Sequence, residues 1–398
     1  MSENSPSPAP LSVAVIGAGM AGRSHAAGYR QAGTVFGPGL PPVRLAAVAD
    51  ANTALAEDAA RRYGFEQALP SWEAVAEDPS IDAVSVVVGN DLHRPVCEAL
   101  LSAGKHVLCE KPLAGGLVDA EAMVAAERSA GVVTSVGYTF RRSPAVAAIR
   151  EHVLGGELGQ PSLFRGRYWA DYAADPGGPL SWRFWGGPGS GALGDVGAHL
   201  IDVAEQVCGP ITAVSGGELA TQIARRPVPI GPVVGHNPAP VGDEVGEVEN
   251  EDTAAFTARF ESGLVGSLSV SRTAFGMPNG LGFDVCGLSG RAAYDQHRPA
   301  EYEFDDAQPE SRTRGARQVV AGPQLPYFAG GYPMEAPGVG GGNAEMFVYQ
   351  CRAFLDQVVA APDALPACAS FGDALHTMRV IDAVVRSSQS DGASTPVA

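Results

Sequence analysis

The 398-residue sequence has little that would tie it to a membrane, to nucleic acid or to an oxidising compartment. No run approaches the ~20 apolar residues that a membrane helix requires. The opening Met1 to Pro10 lacks the basic-then-apolar pattern of a signal peptide, so residues 1–10 read as a disordered tail and a cytoplasmic location is expected. Basic residues are few. Against 44 Asp and Glu there are 27 Lys and Arg, the formal charge is -17, and the acidic stretch Asp243 to Asp252 adds to a field that repels phosphate polymers and anionic membranes. Neither nucleic acid nor a membrane is expected as a partner. Cysteine is sparse and scattered: Cys97, Cys109, Cys208, Cys286, Cys351 and Cys368 form no C-x-x-C pair and have no His at ligand spacing. This predicts reduced core thiols and no metal site. No internal repeat is visible.

The length exceeds what one hydrophobic core sustains and predicts two domains, 11–140 and 141–398. From Leu11 to about Thr139, short β-branched runs (Ser12–Ile16, Arg44–Val48, Ala83–Val88, His106–Cys109, Val132–Val136) alternate with Ala-rich segments (Met20–Gln31, Thr53–Tyr63, Pro95–Ala103, Val118–Ala130). That rhythm is a parallel sheet wrapped by helices, an α/β fold, with Gly33 to Pro42 as an inserted loop. Beyond Ser143 the pattern predicts a helix, a long strand at Ser162–Trp169, a helix at Ala192–Val207, and a hairpin of Ala254–Phe260 and Leu264–Val270. Helices at Asn343–Ala360 and Phe371–Ser388 close a strand-rich second domain, and Gly322 to Gly342 reads as a surface loop.

Gly17-Ala-Gly-Met-Ala-Gly22 follows a strand and opens a helix, the context in which G-x-G-x-x-G indicates dinucleotide binding. Gly17 permits the tight turn, Gly19 lets backbone approach a pyrophosphate, Gly22 lets helix and strand pack closely, and Met20 and Ala21 lie between them. The helix N-terminus then offers free N–H groups to the phosphates. Asp50 ends the second strand, where a carboxylate accepts from both ribose hydroxyls. No cation follows it to neutralise a 2'-phosphate, so NAD is expected in preference to NADP.

Two further segments carry a family resemblance. Gly104-Lys-His-Val-Leu-Cys-Glu-Lys-Pro-Leu-Ala114, with Glu110-Lys111-Pro112, and Gly191-Ala-Leu-Gly-Asp-Val-Gly-Ala-His-Leu-Ile-Asp202 resemble the signatures of the Gfo/Idh/MocA oxidoreductases, and the resemblance extends from about Val13 to the final helix. It implies a Rossmann domain followed by an α/β domain with a large open, mainly antiparallel sheet. It also implies a cofactor site that includes Glu110, Lys111 and Pro112, and assembly as a homodimer or homotetramer through the second sheet face. On residue chemistry, Lys111 falls at the end of a parallel strand, where it can polarise a reacting hydroxyl. Asp195 and His199 are four apart, on one helix face, with the imidazole as general base or acid and the carboxylate as orienting partner or co-base, able to raise the imidazole pKa. Asn90 and His93 lie in a loop similar to one that touches the cofactor in this family. Arg142, within Tyr138-Thr-Phe-Arg-Arg142, is a further candidate near nicotinamide or substrate.

The implied reaction moves a hydride to or from a secondary ring hydroxyl, C3 in the resemblance, of a levoglucosan-like pyranoside or an inositol-like cyclitol. Tyr168, Trp182 and Arg183 suit a neutral sugar, since an aromatic face covers C–H surface while Arg and Tyr bond hydroxyls. The same residues would also serve a redox-neutral glycoside-cleaving enzyme with retained NAD, or a biosynthetic ketosugar reductase. A non-catalytic nucleotide-binding protein would not need the trio.

Overall fold

The computed structural model describes residues 9–37, 39–233, 235, 238–306 and 315–398, so most of the predicted N-terminal tail lies outside the described residues. The first domain is a six-stranded parallel sheet of β1 (Leu11–Ile16), β2 (Val43–Ala49), β3 (Gln67–Leu69), β4 (Ala83–Val86), β5 (His106–Cys109) and β6 (Thr134–Val136), in the order β3-β2-β1-β4-β5-β6. Every residue of β1 is buried, because helices cover both faces of a parallel sheet. The helices are α1 (Met20–Ala32), α2 (Thr53–Tyr63), α3 (Trp72–Glu77), α4 (Asn90–Ser102) and α5 (Leu117–Ala130). Strand order reverses between β1 and β4, which opens a crevice at the carboxyl ends of the central strands.

Sequence periodicity missed β3 and α3, which are three and six residues long, too short to show a period. It also began α4 at Pro95, since proline favours a first turn. The helix starts instead at Asn90 and carries Pro95 inside it, while the preceding strand stops at Val86.

The second domain is built on a nine-stranded sheet. Its strands are β7 (Pro161–Ala170), β8 (Ile211–Ala220), then, beyond a separate hairpin of β9 (Arg225–Pro229) and β10 (Val241–Glu247), β11 (Thr253–Phe260), β12 (Val265–Ser271), β13 (Asn279–Gly287), β14 (Arg291–Asp295), β15 (Glu301–Asp305), β16 (Arg317–Val320) and β17 (Thr395–Pro396). The order is β16-β15-β14-β13-β7-β12-β11-β8-β17, antiparallel throughout except for β7 against β12. Along β7, Phe164, Gly166, Tyr168 and Ala170 are buried while Leu163 and Arg165 are exposed, so one face packs and the other stays open. Helices α6 (Pro144–Leu154), α7 (Ala198–Cys208) and α9 (Phe371–Ser388) serve the packed side. No helix among the described residues is long and apolar enough to cross a membrane.

Helix α8 (Asn343–Val358) belongs to the second domain in sequence but packs along α1, and Cys351 and Phe354 join Val13 and Ala26 in the first domain's core. Arg352 on α8 bonds Asp356 and the carbonyls of Ala32, Val35 and Gly37, which holds the loop inserted after α1. The passage from Gly322 to Gly342 is not simply superficial. Tyr327 and Phe328 are buried, and the Phe36 N–H donates to Gly330 O at 2.6 Å, because this passage fills the gap between the inserted loop and α8.

Candidate active site

A cleft of about 590 Å³ runs from the first turn of α1 to the start of α7. At its first end the three glycines divide the work that their spacing predicts. A Cβ on Gly17 would lie 2.0 Å from Val87 O and one on Gly22 1.8 Å from Gly17 O, whereas one on Gly19 would meet nothing within 4 Å among the described residues. Gly17 and Gly22 thus close the turn, and the space before Gly19 belongs to the cleft, which Met20, Ala21 and Gly22 also line. Helix α1 has no side-chain cap and no acidic residue in its first turn, so its N–H groups remain for an anion. These features fit the diphosphate of a dinucleotide. Asn90, at the start of α4, lines the same wall. Asp50 stands behind it: Oδ2 accepts from the Ala18 N–H at 2.7 Å and Oδ1 from the Asn52 N–H at 2.8 Å. The carboxylate braces the turn, and each oxygen keeps a second lone pair.

At the other end β5 delivers Glu110 and Lys111 into the cleft. Lys111 Nζ donates to Asp195 Oδ1 at 2.7 Å and to Asp195 O at 2.9 Å, joining the two domains. Asp195 sits in a wide π-helical turn, Leu193–Gly197, which runs into α7. Such turns expose side chains that a regular helix would keep in register, and they recur at functional sites. Glu251, just before β11, positions this turn by accepting from the Gly189 and Leu193 N–H groups, both at 2.8 Å. A Cβ on Gly191 would lie 2.1 Å from Glu251 O, which explains the glycine that opens this motif.

Tyr172 donates from Oη to Asp195 Oδ2 at 2.7 Å. Burial would raise the Asp195 carboxyl, but the cations Lys111 and Arg183 and the bonds from Lys111 and Tyr172 outweigh it and hold the group well below the usual carboxylate range. His199 lies on the cleft wall against Phe140, ring centroids 5.2 Å apart, and its Nδ1 is buried with no hydrogen-bond partner among the described residues. Burial and the positive charge of Lys111 push its pKa down to about 3. The expected rise from Asp195 is present but smaller, because that carboxylate is committed to Lys111 and Tyr172. The imidazole is therefore neutral near pH 7 and able to accept a proton.

Tyr168, Trp182 and Arg183 also line the cleft, Tyr168 with its ring centroid 6.2 Å from that of His199. Tyr168 is buried, Trp182 is 39% exposed, and the Arg183 guanidinium lies 4.4 Å from the Trp182 ring centroid. Arg272 Nη1 and Asn250 Nδ2 both donate to Arg183 O, at 2.9 and 3.0 Å, which pins this segment by its backbone and leaves the Arg183 side chain to the cleft.

Five sequence candidates do not line the cleft: Gly17 and Asp50, whose places are given above, and His93, Pro112 and Arg142. His93 is fully buried, and its Nδ1–H donates to Pro112 O at 3.0 Å and Leu113 O at 3.3 Å. It and Pro112 shape the loop that carries Lys111 without facing the cleft. Arg142 is also fully buried, donating to Gln350 Oε1 at 3.0 Å, Tyr327 Oη at 2.9 Å and Pro366 O at 2.6 Å. Its place near nicotinamide or substrate is corrected: it ties α8 and the Tyr327 passage to the domain junction. The neighbouring Arg141 instead grips Asp202, the last residue of the second motif, with bonds of 2.6 and 3.0 Å. Sequence reasoning missed Tyr172, Asn279 and the α8 residues Asn343, Met346 and Phe347 on the cleft wall. None has a local signal, since each arrives from a strand end or helix distant in sequence.

A family described as "Oxidoreductase family, NAD-binding Rossmann fold" (GFO/IDH/MocA) matches residues 11–138, and the GFO/IDH/MocA C-terminal domain matches 146–293. The chain belongs to the GFO/IDH/MocA oxidoreductase family. Among relatives of this family, the levoglucosan dehydrogenase of Pseudarthrobacter phenanthrenivorans is 35% identical over 380 residues, 95% of this chain and 96% of that protein. The myo-inositol 2-dehydrogenase of Thermotoga maritima is 26% identical over 78% of this chain and 81% of its own length. A solved structure of levoglucosan dehydrogenase in complex with NADH and levoglucosan superposes with a TM-score of 0.87 at 32% identity, covering 98% of this chain and 100% of that one. The chain thus carries the family's NAD-binding Rossmann domain, in keeping with the cleft at α1.

Proposed function

We propose that this oxidoreductase oxidises a secondary ring hydroxyl, at C3, of a levoglucosan-like pyranoside, with a cyclitol as the related substrate class. The observation that carries the reading is the meeting of Lys111, Asp195 and His199 at one end of a cleft whose other end is the first turn of α1. The Gly19 turn and α1 hold the diphosphate, Asn90 flanks it, and Asp50 offers its remaining lone pairs to the ribose. When bound, NAD supplies the acceptor for the hydride that leaves the carbinol carbon.

The chain's own residues manage the proton and the oxygen. His199, neutral and with its ring on the cleft wall, accepts the hydroxyl proton. The Lys111 ammonium hydrogen-bonds the oxygen as negative charge develops there, its orientation set by Asp195. Tyr172 keeps the carboxylate turned toward Lys111. Trp182 covers a C–H face of the sugar, while Tyr168 and Arg183 bond its hydroxyls.

Two further properties go with this reading. The open face of the nine-stranded sheet, with exposed Leu163 and Val265 beside the Arg165–Asp284 ion pair, pairs with a second copy to give a homodimer or homotetramer, which sedimentation equilibrium tests. Six free cysteines suit a reducing cytoplasm. The activity is tested by presenting levoglucosan, myo-inositol, glucose and simple glycosides with NAD and NADP and following absorbance at 340 nm. Net NADH formation with a pyranoside supports the proposal. Substrate consumption with no net NADH points to redox-neutral chemistry and rejects it.

A further inference from the structure

Four side chains below the cofactor cleft form a hydrogen-bonded chain that the proton and oxygen chemistry above leaves unused. Tyr29 Oη meets Ser85 Oγ at 2.7 Å, Ser85 Oγ meets His25 Nδ1 at 3.0 Å, and His25 Nε2 meets Glu110 Oε1 at 2.9 Å. Ser85 and His25 are fully buried and Tyr29 nearly so, while Glu110 lines the cleft one residue before Lys111. Ser85 Oγ, with one proton and two lone pairs, can serve both Tyr29 and His25, and His25 Nε2–H donates to the carboxylate. The second carboxylate oxygen accepts from the Lys111 N–H at 3.1 Å. Burial alone would raise this carboxyl, yet the His25 bond and the nearby positive charge keep it below its ordinary range. Lys111, the neighbouring cation, spends its charge on Asp195 across the cleft.

We propose that Glu110, locked as an anion by His25, is the counter-charge for the cationic nicotinamide ring of the oxidised cofactor, so the site favours NAD+ over NADH. The inference rests on the reading that the nicotinamide lies at the Lys111 end of the cleft. A buried carboxylate stabilises a cationic ring and gives nothing to the neutral reduced ring. The preference biases the enzyme toward alcohol oxidation and toward release of the reduced product.

The test is the ratio of dissociation constants for NAD+ and NADH, without sugar, by calorimetry and by NADH fluorescence on the full chain. Glu110→Gln keeps the shape and removes the charge. It is expected to weaken NAD+ by about tenfold or more while NADH changes by less than about threefold, which raises the potential of the bound couple by about 30 mV per tenfold. Glu110→Asp keeps the charge and is expected to leave the ratio within about threefold of the parent, even if both affinities fall together. An unchanged ratio in Glu110→Gln, or an equal shift in Glu110→Asp, overturns the proposal. If Glu110→Gln does not fold, the parent decides alone: NADH binding more than about tenfold tighter than NAD+ is the refuting result. Failure of the parent to bind either form is a different failure, of the cofactor reading itself, and takes the proposal with it.

Discussion

Replacing Lys111 by Met removes the ammonium and keeps most of the stem, so it isolates the charge at the centre of the proposed chemistry. Nζ makes two bonds to Asp195, at 2.7 and 2.9 Å, with the Lys111 and Asp195 side chains 16% and 29% exposed. That exposure screens the pair, so its loss is expected to lower stability by only about 1–2 kcal/mol, a drop of a few degrees in melting temperature. The catalytic loss is larger. A preorganised donor to a developing oxyanion is worth ~10²–10³ in kcat, or about 3–4 kcal/mol. Lys111 stands at the far end of the cleft from Gly19, so NADH affinity should stay within about threefold. Initial rates at 340 nm, NADH fluorescence titration and a thermal melt on the same preparation separate these effects. Retention of more than about a tenth of kcat, or a fall in NADH affinity that parallels the fall in kcat, refutes the division of the cleft into a binding end and a reacting end.

The other predictions follow from the same geometry. His199, buried and with its folded pKa near 3, binds no proton in the range where an unfolded histidine does. The unfolded state therefore takes up more protons below about pH 6.5, and stability falls as pH drops from there toward 3, by up to about 1.4 kcal/mol per unit from this residue. In His199→Gln, urea melts at pH 7 and pH 5 should show a smaller acid loss than in the parent; equal losses would dismiss the neutral buried imidazole. Asp50→Ala should raise the Kd for NAD by about tenfold and leave NADP less disfavoured, since the ribose loses its acceptor. A titration giving an unchanged NAD/NADP ratio would remove Asp50 from the cofactor site. Arg142→Met leaves Gln350, Tyr327 and Pro366 without their shared donor and should destabilise by about 3 kcal/mol or more, while the KM for sugar in the folded protein is unchanged. A raised KM with little loss of stability would return Arg142 to the substrate site.

Much of the first domain was legible because its signals are local. A continuous apolar strand, three glycines at fixed spacing and an Ala-rich helix specify the turn at Gly17–Gly22 wherever they occur, since sterics alone decide which glycine must lack a Cβ. Helix α2 and helix α9 match their expected bounds residue for residue, and β5 does too. The long-range half of the site was not legible in that way. Asp195 and His199 were expected to share a helix face, the carboxylate raising the imidazole pKa or binding a neighbouring hydroxyl; a π turn held by Glu251 sends Asp195 to Lys111 and the Tyr172 hydroxyl, and its effect on His199 is the smaller one. Arg141 and Arg142 are adjacent and chemically identical, and no property of the sequence says which one faces Asp202 and which is buried against α8.

The sequence by itself determined the parallel sheet and the glycine turn, and it singled out a lysine, a carboxylate and an imidazole that the fold brings to one cleft. Only tertiary structure decided their partners and charge states. Hydrogen bonding and desolvation depend on what packs within a few ångströms in space, and here those neighbours come from β5, the π turn, β7 and α8, separated by tens to hundreds of residues along the chain.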